Sequence, residues 1–295
     1  MAHHHHKHNT KNIGITILLN TVITVAQIIG GIISGSMALL SDAMHNFSDV
    51  LALIISYIAK KLYVKENTLN RTFGYKRAEI LAAFINSATL IIIAVILIVK
   101  SIERFANPQD IHGNIVIYLA VLSILLNGLS VLLIKKDSKK SMNIRSAYLH
   151  LFTDMLTSIA VLVGGFFIKY LGWNWIDNVL SLGIAAYLIY SSWEIFTASL
   201  KIMMQFTPED IDIKKIVSKI NKIEGVKNIH HIHVWKLDEH QIIFEAHIDV
   251  NNDIHVSQFE KILLLINNIL IKSGIHHSNI QPEYNIVDNK DIINN

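Results

Sequence analysis

The chain has 295 residues, a hydrophobic content of 52% and a formal net charge of +3, with a mean hydropathy of +0.40. It is too apolar for an ordinary soluble domain and too polar to lie in a membrane throughout, and its length suggests about two domains. The charge does not mark a nucleic-acid binder, and the absence of cysteine excludes disulfides, thiolate nucleophiles and soft thiolate metal sites.

The first segment, residues 1–12, is polar, His-rich and without the apolar core and cleavage site of a signal peptide. It is expected in the cytoplasm. Its His3, His4, His5, His6 and His8 can be read as metal capture or as the remnant of a purification tag. Six apolar stretches follow, each long enough for ~30 Å of hydrocarbon, which takes about 20 residues. They are Ile13–Ile33, Met37–Leu62, Ile80–Ile102, Ile115–Ile134, Arg145–Leu171 and Ile176–Leu200. Residues 13–206 are therefore expected to be a six-span transmembrane domain.

Basic residues concentrate in two loops. Lys60, Lys61, Lys65, Arg71, Lys76 and Arg77 separate the second and third spans, and Lys135, Lys136, Lys139, Lys140 and Arg145 separate the fourth and fifth. The positive-inside rule then places both termini in the cytoplasm of a multi-pass cell-membrane protein, with Trp173 and Trp175 in the outer aromatic belt.

Residues 207–295 read as a soluble domain. Thr207-Pro208-Glu209-Asp210 has the pattern of a helix start, giving a helix over Pro208–Ile223. Runs near Asn228–Lys236 and Gln241–Val250, a helix at Val256–Ile271 and a last strand at Ser278–Tyr284 complete an αββαβ order. The fold class expected is an all-α bundle of six transmembrane helices followed by a small α+β, ferredoxin-like cytoplasmic domain.

The chemistry lies inside the spans. Ionisable side chains at a helix centre cost ~2.5–3.5 kcal/mol on insertion scales and so face a cavity or a partner. The second span carries His45 and Asp49, the fifth His150 and Asp154. Each i,i+4 pair shares one helix face. Two such helices face to face supply two imidazoles and two carboxylates, a set suited to Zn²⁺ and open to Co²⁺ or Cd²⁺. Singly, either pair reads equally well as an interhelical structural contact; the repeat of the spacing in two spans favours a metal site. Counting from Lys60 and Arg145 places the two pairs ~9 Å apart in depth. Asp42 can be a cation-attracting group at the outer mouth or a wetted helix-end residue. Asp177 reads as a dipole partner at the start of the sixth span, and Asn20, Asn86 and Asn127 as bonds between helices.

The segments GSMALLSDAMHNFSDV, RTFGYKRAEILAAFIN, IRSAYLHLFTDMLTS, IHHIHVWKL and FEAHIDV resemble the cation diffusion facilitators, in particular their cobalt–zinc–cadmium resistance branch, from Ile13 to Tyr284. The resemblance implies a homodimer embedded in lipid that exports Zn²⁺ in exchange for protons, with His45, Asp49, His150 and Asp154 as the transport site. It also implies a cytoplasmic metal site at His230, His247 and Glu283, with Zn²⁺ as its ligand. Strand alternation pulls against His230: with Ile232 and Val234 inward, His231 and His233 share the face of His247 and His230 does not. The pleat prefers His231 or His233, and the resemblance prefers His230. A further metal site seen between the second and third spans of some relatives is not expected, since 65–77 holds no His.

Rival readings are a membrane-anchored metal sensor, an alkali or alkaline-earth antiporter and an intramembrane zinc hydrolase. Imidazole is a poor ligand for alkali and alkaline-earth ions. A hydrolase needs an open metal position and a general base, and neither H-E-x-x-H nor a Ser/His/Asp arrangement is evident, so no enzymatic activity is expected.

Overall fold

The computed structural model describes residues 10–135, 142–287 and 289–293. The N-terminal histidines His3–His8 and Lys136, Lys139 and Lys140 lie outside the described residues, as does the side chain of Arg145. Six long helices come first: α1 Thr10–Ser34, α2 Met37–Tyr63, α3 Ala78–Ala106, α4 Gly113–Ile134, α5 Met142–Leu171 and α6 Trp175–Met203. Then come α7 Ile213–Ile220, β1 Val226–Lys236, β2 Ile242–Val250, α8 Val256–Lys272 and β3 His277–Glu283. Each of α2–α6 holds a stretch long and apolar enough to cross a membrane, and among the described side chains of α1 the apolar run is Leu18–Ser34.

The chain forms two compact units. One holds the residues up to Ile55 together with Ile85–Phe196; the other holds Ser56–Phe84 with Thr197–Asn295.

In the first unit apolar side chains face outward, as lipid requires. Ile32, Ile96, Leu125, Leu132 and Tyr190 are exposed. Inside, small and polar residues let helices approach and bond. A Cβ on Gly31 of α1 would stand 3.2 Å from the Leu40 backbone of α2, tighter than most Cβ contacts, so glycine suits the close approach of these two helices. Ser181 on α6 bonds Ser41 of α2 at 2.7 Å and Ser101 of α3 at 2.9 Å. Asn86 of α3 donates to the Ala52 carbonyl of α2, a bond between helices as expected, whereas Asn127 donates to Ser123 one turn earlier on its own helix α4. At the α5–α6 turn, Trp173 stacks on Phe167 and lies beside Trp175.

Asp177 departs from its expected role. Its carboxylate accepts from Ser36 Oγ and from the Met37 and Ala38 N–H groups, so it caps α2 rather than its own helix α6. The chain turns sharply at Gly35, and the first α2 donors are buried. An unfilled donor there is costly, and a carboxylate brought from another helix fills two.

In the second unit β1 pairs antiparallel with β2, and β2 pairs parallel with β3, in the order β1-β2-β3. Phe244, Ile248, Ile229, Ile220, Ile266 and Leu270 form its core, with α7 and α8 supplying one apolar face each. The first helix begins later than the sequence pattern suggests. Pro208 makes a turn with Ile211, and Asp212, not Thr207, caps α7 by accepting from the Lys215 N–H. With the helix starting there, Ile211 before the cap and Ile216 after it are both buried in the core. Within this unit Tyr63 donates to Asp238 at 3.0 Å. Burial resists ionisation of Asp238, but the His240 and Gln241 N–H groups and the Tyr63 hydroxyl outweigh it and hold its carboxyl below the ordinary range.

Candidate metal centres

Helix α2 points His45 and Asp49 at α5, and α5 points His150 and Asp154 back. His45 Nε2 lies 3.3 Å from Asp154 Oδ1 and 3.7 Å from Asp49 Oδ2. His150 Nε2 lies 3.1 Å from Asp49 Oδ2 and 3.5 Å from Asp154 Oδ2. The two rings meet edge to face at 5.6 Å. Each carboxylate lies near both imidazoles; His45, Asp49 and His150 bring one donor atom each within 4.8 Å of one another, and Asp154 stands beside both rings through its two oxygens. Asp154 is fully buried and His45 nearly so, while the His150 side chain is 41% exposed.

The depth difference counted from the basic residues does not separate the pairs. Instead α2 runs about six residues further past the site toward Lys60 and Lys61 than α5 does toward Met142, ~9 Å at 1.5 Å per residue. Lys60 and Arg145 therefore do not mark one common depth.

This donor set fits a divalent transition metal. Asp49 Oδ2 and both Asp154 oxygens are buried without a hydrogen bond. Buried carboxylate oxygens are ordinarily satisfied, so oxygens facing only imidazoles suit a bound cation.

Asp42 is neither wetted nor at an open mouth. It is buried one turn before His45, accepting from Gln27 Nε2 at 2.6 Å, Thr157 Oγ1 at 2.9 Å and Ser158 Oγ at 3.3 Å. Thr157 also donates to the Asp154 carbonyl, so this network braces the helix turn that carries the site. Gln27 of α1 was not legible as a partner, because apolar neighbours hide a single amide in a span.

The second centre is on the sheet. His230 Nε2 lies 3.2 Å from Glu283 Oε2, and His247 Nδ1 lies 2.7 Å from Glu283 Oε1. His230 pairs with His247 across the strands, and His233 with Glu245, so His231 and Ile232 stand opposite Ala246 alone. That is a β-bulge, with His231 at φ 51°. The extra residue resets the alternation: Ile232 and Val234 stay inward while His230 joins the face of His247. Strict period-2 reading fails at this point. His231 stacks on His247 at 4.6 Å instead of joining the cluster, and His233 is exposed.

A bulge held by positive φ disfavours β-branched residues. His231→Val is expected to lower stability by about 1–3 kcal/mol, and His231→Gly by less, measured by urea unfolding of the purified chain. Equal losses for both would show that the backbone conformation is not what matters.

Asp249 and Lys290 complete the surroundings, and neither stands out in the sequence. Asp249 Oδ2 lies 3.8 Å from His230 Nδ1; it follows His247 by two residues, a spacing that marks one strand face. The side chain of Lys290 arrives from the C-terminal segment, which no periodicity announces.

Comparison with known proteins gives the family. Residues 13–204 match the family described as cation efflux transmembrane domain, and residues 208–284 match cation efflux protein, cytoplasmic domain. The chain is similar to the cadmium, cobalt and zinc/H(+)-K(+) antiporter of Bacillus subtilis (strain 168), 36% identical across 96% of this chain and 92% of that one. It is also similar to the metal cation efflux system protein CzcD of Cupriavidus metallidurans, 30% identical across 96% of this chain and 90% of that one. The zinc transporter ZitB of Escherichia coli (strain K12) is 32% identical across 88% of this chain and 83% of that one.

Proposed function

The chain belongs to the cation efflux family, and from that premise we propose that it exports Zn²⁺ in exchange for protons through His45, Asp49, His150 and Asp154. It is a multi-pass membrane protein whose family moves cations and does not catalyse bond cleavage. The observation that carries the reading is the gathering of two imidazoles and two carboxylates between α2 and α5, with three carboxylate oxygens buried and without a hydrogen bond. Two nitrogens favour Zn²⁺, with Co²⁺ and Cd²⁺ as further cargo, over ions that prefer all-oxygen sites. The names of relatives that carry cadmium, cobalt and zinc point the same way.

The same atoms account for coupling. Metal binding needs neutral imidazoles and ionised carboxylates, so cargo and protons exclude each other. The site takes up Zn²⁺ and sheds protons when it faces the cytoplasm. It takes up protons and sheds Zn²⁺ when it faces the acidic side. Rocking of helices about the site supplies the alternation. Both termini lie in the cytoplasm, by the basic bias of the loops after α2 and α4. Residues 13–206 form the transport domain, and residues 207–295 bind metal at His230, His247 and Glu283 and pair two copies as a homodimer.

The test is purified protein in liposomes with a trapped zinc indicator. Acidifying the releasing side is expected to accelerate Zn²⁺ flux, and acidifying the loading side to slow it. Flux indifferent to the gradient would end the antiport reading.

A further inference from the structure

Beside the cytoplasmic cluster, an ammonium group of the chain itself stands among the proposed metal ligands. Lys290 Nζ lies 3.1 Å from Glu283 Oε2, 3.0 Å from Asp249 Oδ1 and 3.4 Å from His230 Nε2. It is held there by backbone as well as by charge. The His231 N–H donates to the Asp291 carbonyl at 3.2 Å, and the Ile232 N–H to the Ile292 carbonyl at 2.8 Å. The Lys290 carbonyl accepts from Asn228 Nδ2. Two N–H groups at the bulge, where two residues oppose one, thus find partners in the C-terminal segment. The segment covers that edge of β1 as a strap.

We propose that Lys290 is a tethered competitor of the metal at the cytoplasmic site, so that a divalent cation binds there only by displacing its ammonium group. The proposal rests on the reading of His230, His247 and Glu283 as metal ligands.

The donor geometry makes the two cations exclusive. A zinc ion held by His230 Nε2 and Glu283 Oε2 would have to approach both atoms more closely than a hydrogen-bond donor does. Lys290 Nζ faces those same two atoms at hydrogen-bond distance, so both cations claim the same space and the same oxygen lone pair. The electrostatics run parallel. Glu283 and Asp249 are two buried carboxylates, and without metal Lys290 supplies a positive charge that such a pair requires. A divalent ion supplies more charge from the solvent, whereas Lys290 supplies its charge at high effective concentration from a neighbouring strap. Lys290 thereby sets the free metal concentration at which the domain loads. Its side chain is 31% exposed, which leaves it a route out to water.

The measurement is Zn²⁺ affinity of the full chain in detergent, with buffered metal and with Asp154→Asn present to suppress uptake at the membrane site. Lys290→Met is expected to bind at least about fivefold tighter at the cytoplasmic site, a gain of the size at the low end of couplings between two ligands of one protein. A chain ending at Asn289 is expected to show the same gain. Unchanged or weaker binding by Lys290→Met overturns the proposal, because Lys290 is then an ordinary ion-pair partner or a support for the site. A gain in the shortened chain without one in Lys290→Met also overturns it, since the strap and not the ammonium group is then responsible. Glu283→Gln separates the two levels. If it abolishes cytoplasmic binding while Lys290→Met has no effect, only the competitor role fails. If Glu283→Gln leaves binding intact, the metal-site reading itself falls, and the competitor with it.

Discussion

Asp154→Ala is expected to abolish proton-driven Zn²⁺ flux, by at least about a hundredfold, with Asp49→Ala close behind. Loss of a partner that merely orients a ligand already costs about 10–100-fold in metal affinity or activity, and here a ligand itself is removed. The geometry also ranks the two. Asp154 is fully buried, has no hydrogen bond at either carboxylate oxygen, and places one oxygen 3.3 Å from His45 and the other 3.5 Å from His150. Asp49 touches the same two rings through one oxygen and is partly open to solvent. Asp154→Asn keeps the shape and removes the charge, so it separates a ligand role from a packing role. Flux in liposomes is the readout, with size-exclusion profiles showing that the variants are folded. Transport at the normal rate by both alanine variants would make the buried pairs structural and send attention to the cytoplasmic histidines as a sensor.

The second large effect falls on folding. Asp177→Ala is expected to destabilise the protein by about 2–5 kcal/mol, since each buried donor left unpaired costs about 1–3 kcal/mol. The Met37 and Ala38 N–H groups and the Ser36 hydroxyl would all lose their acceptor, in a region where they are buried and water does not substitute. Asp177→Asn retains one carbonyl oxygen and is expected to recover part of the loss. Thermal unfolding in detergent reads both. A normal melting curve for the alanine variant would mean that α2 finds another cap at its start, and that the α6 carboxylate is incidental.

These two effects have different origins in the chain. Much of the architecture is local in origin and therefore legible in residue order. Twenty or so apolar residues must cross lipid as a helix because backbone polar groups have no other partner there. The six helices accordingly begin and end within a few residues of the apolar stretches. His45 with Asp49 and His150 with Asp154 share helix faces by spacing alone, and buried charge in a span demands a partner. Spacing and burial cost together are enough to name the four residues.

Tertiary structure decided what depends on a partner from far along the chain. Asp177 reads as the cap of its own helix, and only the packing of α6 against the start of α2 turns it to the neighbour. Asp42 sits at an apparent helix end, and only Gln27, Thr157 and Ser158 show it sealed inside. The relative depth of the two His/Asp pairs could not be counted from basic residues, since helices end at different levels. On the sheet, alternation and resemblance disagreed over His230, and a single extra residue with positive φ at His231 resolved the phase. A bulge has no composition of its own, and neither does a strap that carries Lys290 back to β1. Both exist because unpaired backbone donors and buried carboxylates must be satisfied, a condition that belongs to the folded chain and not to any stretch of it.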